Sequence, residues 1–244
     1  LILLDELCIQ LMNIDFHPSD FNVALATSVV VYGFSGDELL TLVATKEGEP
    51  FHGAHILPTA IIRPDQAPET VVKALLRELT NRDDWPLEQL NSFANPYRNP
   101  SGRVVNIAYY CLVRLSDELK SGLEVQGFRW LPVTKVPSMA YDHDEVLAYA
   151  RERFKRRVKR RPVGFTLLPR EFTLNEIQRL YECALGKKFD KRNFRRKVLK
   201  SQLLIETGNM VRSSARAKRP SRLYMFDEKK YQTLTLKGYD IVYF

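Results

Sequence analysis

The stretch Asp190-Lys-Arg-Asn-Phe-Arg-Arg-Lys-Val-Leu-Lys200 holds the densest chemistry in the chain. Setting Phe194 inward on a helix, at about 100° per residue, turns Val198 inward as well. Arg192, Asn193, Arg196 and Lys200 then point away, with Arg195 and Lys197 on the flanks and Lys191 in the first turn. Arg offers bidentate donors to guanine, an Asn amide pairs with adenine, and Lys clamps phosphate. Such a helix suits the major groove of duplex DNA. The loop from Arg212 to Arg222 adds Arg216, Lys218, Arg219 and Arg222, cations suited to the backbone or the minor groove. No aromatics interleave with these cations, which disfavours a single-strand stacking platform. A solvated basic face is the plainer reading of any charge run. Here capping, turn geometry and a basic hairpin agree with DNA contact.

The other reactive side chains form no comparable group. His52 and His55 are three apart in a loop with no further His, Cys or well-placed acid, so no metal site is expected. His143 reads as a structural residue near a helix start. Cys8, Cys111 and Cys183 are odd in number and far apart, which excludes a disulfide framework and a clustered zinc site and fits a reducing compartment. Spacing identifies no nucleophile–base pair. No catalytic residue, metal or cofactor is therefore expected.

The elements that must position the cations follow from local signals. Thr173-Leu-Asn-Glu176 is a capping box opening a helix whose apolar stripe is Leu174, Ile177, Tyr181, Ala184 and Leu185, closed by Gly186. Asp190 caps the next helix, with Phe189 and Phe194 at the two positions of a hydrophobic staple. Leu203–Glu206 and Leu223–Phe226 read as short strands flanking the basic loop, and Gly164–Leu168 as another. Helix, tight turn, helix and β-hairpin is the order of a winged helix. Ahead of it, Asp144–Lys159 reads as a helix that grows basic. Its run 151–161 either touches phosphate or is a solvated linker helix.

The earlier half reads as strands around one central helix. His17-Pro-Ser-Asp20 is a turn or cap signal. Strands are expected at Val23–Tyr32, Leu39–Ala44, Thr59–Ile62, Leu87–Phe93, Val104–Leu115 and Phe128–Pro132, with a hairpin turn at Gly33–Glu38. Pro68–Thr80 has helical spacing, with Val71, Val72, Leu75, Leu76 and Leu79 on one face. The fold class is α+β, with domains expected at 1–155 and 156–244.

The chain has 244 residues with 45% hydrophobic and 27% charged content, ordinary for a globular protein. Its net charge of +8 hides a split. Residues 1–150 carry 11 Lys and Arg against 20 Asp and Glu, net −9, while residues 151–244 carry 26 against 9, net +17. A polyanion partner is expected for the second half alone. No apolar run reaches the roughly 18 residues of a membrane helix, and the opening LILLDELCIQLMNI is a poor signal peptide, so a cytoplasmic protein away from membranes is expected.

Leu57-Pro-Thr-Ala-Ile-Ile-Arg-Pro-Asp-Gln66, continuing to Asn81, resembles the Nudix box. The family pattern is Gly, five residues, Glu, seven residues, then Arg-Glu-apolar-any-Glu-Glu-any-Gly. Its first Gly falls on Ala60, its first Glu on Gln66, Arg-Glu on Ala74-Leu75, the apolar position on Leu76, the Glu pair on Glu78-Leu79 and the closing Gly on Asn81. The box clusters carboxylates on one helix to hold magnesium against a diphosphate. Only Glu78 survives among those glutamates. A register shifted by three recovers Glu69, Arg77 and Glu78 but puts Asn81 and Arg82 at the Glu pair. Hydrolysis by this mechanism is not expected.

A pocket can outlast its metal ligands. Asn95-Pro-Tyr-Arg98-Asn-Pro-Ser-Gly-Arg103-Val-Val-Asn-Ile-Ala-Tyr-Tyr110 resembles the Arg-Asp-Pro-x-Gly-Arg-Val-x-x-x-Ala-Tyr-Tyr stretch of Nudix domains related to ADP-ribose hydrolases. Arg98 and Arg103, with Tyr110, are candidates for an effector's phosphates or hydroxyls, or else the arginines serve in surface ion pairs. Lys46 and Arg63 are weaker candidates of the same kind. Phe51 either stacks on a ring or anchors its loop.

The stretch Leu180-Tyr-Glu-Cys-Ala-Leu-Gly-Lys-Lys-Phe-Asp190 through Lys200 is similar to the NrtR family of bacterial Nudix-related transcriptional regulators. Leu87-Glu-Gln-Leu90, Trp130-Leu-Pro132, Asp142-His143 and Gly164-Phe165 extend the likeness over roughly 20–244. The resemblance implies a Nudix-like α/β/α sandwich followed by a winged helix-turn-helix. It further implies a homodimer on palindromic operator DNA and repression of NAD-biosynthesis genes. The implied effector is ADP-ribose or, in other branches, a sugar such as arabinose. Thr59-Ala60 stand where the family has Gly-Gly. Two other readings remain open: a residual pyrophosphohydrolase on ADP-ribose-like substrates, resting on Glu78, and a nucleic-acid-binding protein without sequence preference, resting on the +17 half.

Overall fold

The computed structural model describes residues 22–82, 84–212 and 220–236. The expected turn at His17–Asp20, the opening segment with Cys8, and the loop cations Arg216, Lys218 and Arg219 lie outside the described residues.

The first layer set is a seven-stranded sheet. Its strands are β1 (Ala24–Phe34), β2 (Leu39–Thr45), β3 (His55–Ile56), β4 (Thr59–Ile62), β5 (Leu87–Phe93), β6 (Val104–Leu112) and β7 (Phe128–Pro132). The central order is β3-β2-β1-β6-β5, with β4 on β1 and β7 on β2. β1 and β6 run parallel over the full register Ala24↔Val104 to Tyr32↔Leu112, while the neighbouring pairs are antiparallel. Both faces of β1 are buried because helices cover both sides, which explains its unbroken β-branched run.

Alternation along β1 and β6 sorts their side chains. Val29, Val31, Tyr109 and Cys111 face one side, against α1 (Pro68–Thr80) and α2 (Asp117–Val125). Val30, Tyr32, Ala108 and Tyr110 face the other, against α3 (His143–Arg160). α1 starts with Pro at its first turn and ends on Asn81 in the left-handed region (φ 55). That is the position where the Nudix pattern closes on Gly, and Asn tolerates the conformation better than most residues. α2 opens on Ser116, whose hydroxyl accepts the Leu119 N–H; only Leu119 and Leu123 are apolar contacts, so its sequence signal is weak.

The second layer set follows α3. Val163–Leu167 is a 3₁₀ turn rather than the expected strand. Pro162 and Pro169 bracket it, and its short apolar run buries Phe165 and Leu167 without alternating faces. Then come α4 (Leu174–Leu185), α5 (Lys191–Lys200), β8 (Leu204–Val211), β9 (Ser221–Phe226) and α6 (Glu228–Leu236). β8 and β9 form a two-stranded hairpin longer than its apolar ends suggested, and Phe172 bridges to Tyr224 beside it. This is a winged helix on a mixed sandwich.

The two parts share one core. Tyr32, Tyr110 and Phe154 are in the same buried cluster as Leu168, Leu180, Tyr181 and Phe194. α3 is the seam: its Phe154 ring lies 5.4 Å from Tyr32, and its Arg153 and Arg157 bind Glu88 of β5. The helix runs through the boundary expected at 155/156. Among the described residues, no helix is long and apolar enough to cross a membrane.

Candidate nucleic-acid interface and effector site

α4 begins with the capping box as expected. The Thr173 hydroxyl accepts the Glu176 N–H at 3.2 Å, and the Glu176 carboxylate accepts the Thr173 N–H at 2.7 Å. Gly186 ends the helix at φ 65, where a Cβ is strained. Asp190 then caps α5, its carboxylate accepting the Asn193 N–H at 2.8 Å. Phe189 packs on Phe194 at 5.6 Å, and Tyr181 meets Phe194 edge-on at 5.9 Å.

These contacts fix the rotation of α5. Phe194 and Val198 are buried, while Lys191, Arg192, Asn193, Arg196, Lys197 and Lys200 are exposed. Arg195 is half-buried and donates to Asn175 at 3.1 Å, so it braces α5 on α4. Arg196 donates to the Asn193 side chain at 3.1 Å, which aligns two outward polar groups. On the wing, Arg222 pairs with Glu206 at 2.9 Å in an exposed ion pair. A cleft of about 640 Å³ separates α4, Lys191 and Arg212 from the β1–β2 turn, where Asp37 pairs with Arg179.

The elbow between α4 and α5 contains two residues that the sequence reading passed over. Glu182 and Gln178 face the turn from the last part of α4. Glu182 is buried yet charged: burial pushes its carboxyl up, but the Phe189 N–H, Gln178 and Lys188 together hold it below its ordinary value. Their spacing of four residues beside the turn was the available signal.

In the first domain, the proposed effector residues fall into separate settings. Lys46 donates to the Glu47 and Gly48 carbonyls, both at 3.1 Å. It lines an open groove of about 820 Å³ with His52, Arg129 and Trp130. Phe51 occupies the left-handed region (φ 71), half exposed, and its ring stands edge-on to Tyr141 at 5.0 Å. Tyr141 is left-handed too (φ 59), so two strained residues meet at one corner. Arg63 is exposed after β4, and Arg103 is exposed with one donor to the Ala94 carbonyl at 2.7 Å.

Arg98 and Tyr110 are internal struts in this arrangement. The Arg98 side chain is 4% exposed and bidentate on Asp142, a buried ion pair and not the surface pair expected as the alternative. Tyr110 is buried and donates to Glu88 at 3.2 Å. His143 is buried beside this pair, its Nδ1 accepting the Leu57 N–H at 3.0 Å. Burial, with the nearby Arg98 charge, lowers its pKa to about 4 against the neighbouring acids Asp142 and Asp144.

The Nudix fold implies magnesium, and the helix that would hold it does not fit. Leu79 is buried and Leu75 half-buried where carboxylates are needed. Glu69 and Glu78 lie nine positions apart, on opposite faces and about 13 Å apart along the axis. Glu69 is also paired with Lys73 at 2.7 Å. Among the described residues, no three His, Cys, Asp or Glu gather in a metal-binding group.

Residues 164–226 match the NrtR DNA-binding winged helix domain. That span runs from inside the 3₁₀ turn to the end of β9. The ADPR responsive transcriptional repressor NtrR of Acinetobacter baylyi is 27% identical over 221 residues, covering 88% of this chain and 87% of that protein. The Shewanella oneidensis NrtR structure in complex with a 27mer DNA superposes with a TM-score of 0.70 at 29% identity, over 83% of this chain and 93% of that one. Residues 164–226 thus carry a winged helix of the NrtR type, and the chain is similar to NrtR proteins over most of its length. A MutT/nudix family protein from Enterococcus faecalis, at 22% identity and a TM-score of 0.60 over 83% of this chain and 87% of that one, shares the fold. The Acinetobacter relative, matched across most of this chain, is a repressor by name, and the Shewanella NrtR structure shares the layout of sandwich plus winged helix described above.

Proposed function

We propose that the protein is a ligand-responsive transcriptional repressor. The winged helix, residues 156–244 with α3 as the seam, reads palindromic operator DNA. The domain 1–155 receives a nucleotide or sugar effector such as ADP-ribose, and it does so without hydrolysing it. The protein works as a homodimer in the cytoplasm.

One observation carries the reading: Arg192, Asn193, Arg196 and Lys200 form an exposed row directly opposite the buried Phe194 and Val198. Lys191, Arg195, Lys197 and Arg222 stand beside it for phosphate contact, together with Arg216, Lys218 and Arg219 from the loop outside the described residues. For the effector, Lys46, Phe51, Arg63 and Arg103 are the accessible groups, with Arg98 and Tyr110 supporting their loop and strand. The resemblance to a repressor named as responsive to ADPR favours ADP-ribose as the first ligand to test. Leucines at the carboxylate positions of α1 support a receptor in place of an enzyme.

The test is a fluorescence anisotropy titration at physiological salt, using duplex from the chain's own promoter and a scrambled duplex, each with and without ADP-ribose. A promoter preference of about a thousandfold or more is expected. Equal binding to both duplexes overturns the repressor reading and leaves only electrostatic binding. Release of AMP from ADP-ribose with magnesium or manganese, abolished in Glu78→Gln, overturns the receptor assignment.

A further inference from the structure

The turn between α4 and α5 is held by an arrangement that involves both polar groups of one peptide residue. Phe189 immediately precedes Asp190, the cap of α5. Its N–H donates to Glu182 Oε1 at 3.0 Å, and its carbonyl accepts from Gln178 Nε2 at 3.0 Å. Gln178 Nε2 also donates to Glu182 Oε1 at 3.0 Å, so the two side chains are tied to each other. Lys188 closes the set on Glu182 Oε2 at 3.0 Å. The Glu182 side chain is 8% exposed.

A turn residue usually leaves its backbone to water or to its own turn. Here one helix seizes the residue just ahead of the next helix's cap at two points, from side chains one turn apart. Two bonds to one residue fix its direction as well as its distance. The Phe189 ring adds an apolar contact to Phe194 on α5. The pitch of α5 relative to α4 is thus set by Gln178 and Glu182, on the side away from the exposed cationic row.

We infer that Gln178 and Glu182 are positioning residues for sequence readout: they set the angle at which α5 enters the groove, without touching DNA. This rests on the reading of α5 as the recognition helix. Base contacts are bidentate and tolerate little misalignment, whereas phosphate contacts from long Lys and Arg side chains adapt. Loosening the clamp should therefore cost discrimination and leave general affinity alone.

The experiment uses the full chain and a duplex that the wild type selects from a random pool, against a scrambled duplex, over a salt series. In Glu182→Ala the preference for the selected duplex falls by about tenfold or more, because the half-buried Phe189 N–H loses its acceptor and Gln178 loses its partner. Affinity for scrambled duplex and the salt slope stay as in wild type, since no phosphate-binding cation is removed. Glu182→Gln keeps an acceptor for the Phe189 N–H and holds most of the preference. Gln178→Ala, which frees the Phe189 carbonyl and removes one donor to Glu182 but leaves the Phe189 N–H its acceptor, gives an intermediate loss and carries the test if Glu182→Ala fails to fold. Full preference in both Ala variants, with a wild-type melting temperature, overturns the clamp alone. A wild type that selects nothing overturns the recognition-helix reading and this inference with it.

Discussion

The Arg98 guanidinium lies bidentate on the Asp142 carboxylate, Nε to Oδ2 at 2.8 Å and Nη2 to Oδ1 at 2.5 Å, across 44 positions of sequence. Both side chains are nearly out of solvent. The pair ties the loop before β6 to the first residue ahead of α3. Removing one partner strands the other charge in a poorly hydrated site. Arg98→Ala is expected to cost about 3–5 kcal/mol, and the double variant Arg98→Ala/Asp142→Ala less than the sum of the singles. Urea denaturation of all four proteins measures the coupling. Strictly additive losses would mean that the pair is not a unit.

His143 predicts a pH dependence. Its folded value of about 4 lies below the ordinary 6.5, so the unfolded chain takes up the proton first. Its contribution is fully present above about pH 6.5 and drains away as pH falls towards about 4. The amount is on the order of 3 kcal/mol. The melting temperature of wild type minus that of His143→Gln, followed from pH 7 to pH 4, should shrink over this window. A constant difference would contradict the burial of a neutral imidazole.

Two cations on α5 should separate by role. Arg196→Ala is expected to weaken the preferred duplex by about 1–3 kcal/mol and relax the base preference at one position. Lys200→Ala should weaken all duplexes alike and lower the salt slope by about one. Binding isotherms at several salt concentrations distinguish the two. Identical behaviour would mean that the outward row is not the reading face.

Phe154 lies fully buried between the sheet and α4, its ring against Tyr32. Phe154→Ala should cost about 3–5 kcal/mol through the cavity it leaves. Calorimetry should then show a single transition moved down, because the damaged packing belongs to both parts. Two separated transitions would contradict a shared core.

Local chemistry made the winged helix legible. The Thr173/Glu176 box, Gly186, and the Phe189–Phe194 staple all act within a few residues, and helix 68–80 shows its buried face directly in its spacing. The sheet's helical cover was partly hidden: residues 117–125 carry too few apolar side chains to signal a helix. The sequence reads as a strand at 164–168 where the chain forms a 3₁₀ turn at 163–167, because a short apolar run between prolines has no period to read. The candidate effector site was least legible. Arg98 finds Asp142, and Glu88 collects Arg153, Arg157 and Tyr110, through pairings that no local spacing encodes. The run 151–161 reads as phosphate-contacting or solvated, because nothing local shows that Glu88 lies opposite Arg153 and Arg157.

The buried mass that runs from Tyr32 through Phe154 to Tyr181 leaves neither half with a closed surface of its own. Severing the chain within α3 would bare aromatic rings on both fragments and invite them to aggregate. Descent by shuffling is constrained in the same way. A winged helix from another protein cannot simply be grafted onto this sandwich, because the seam has to be recut on both sides before the hybrid could fold.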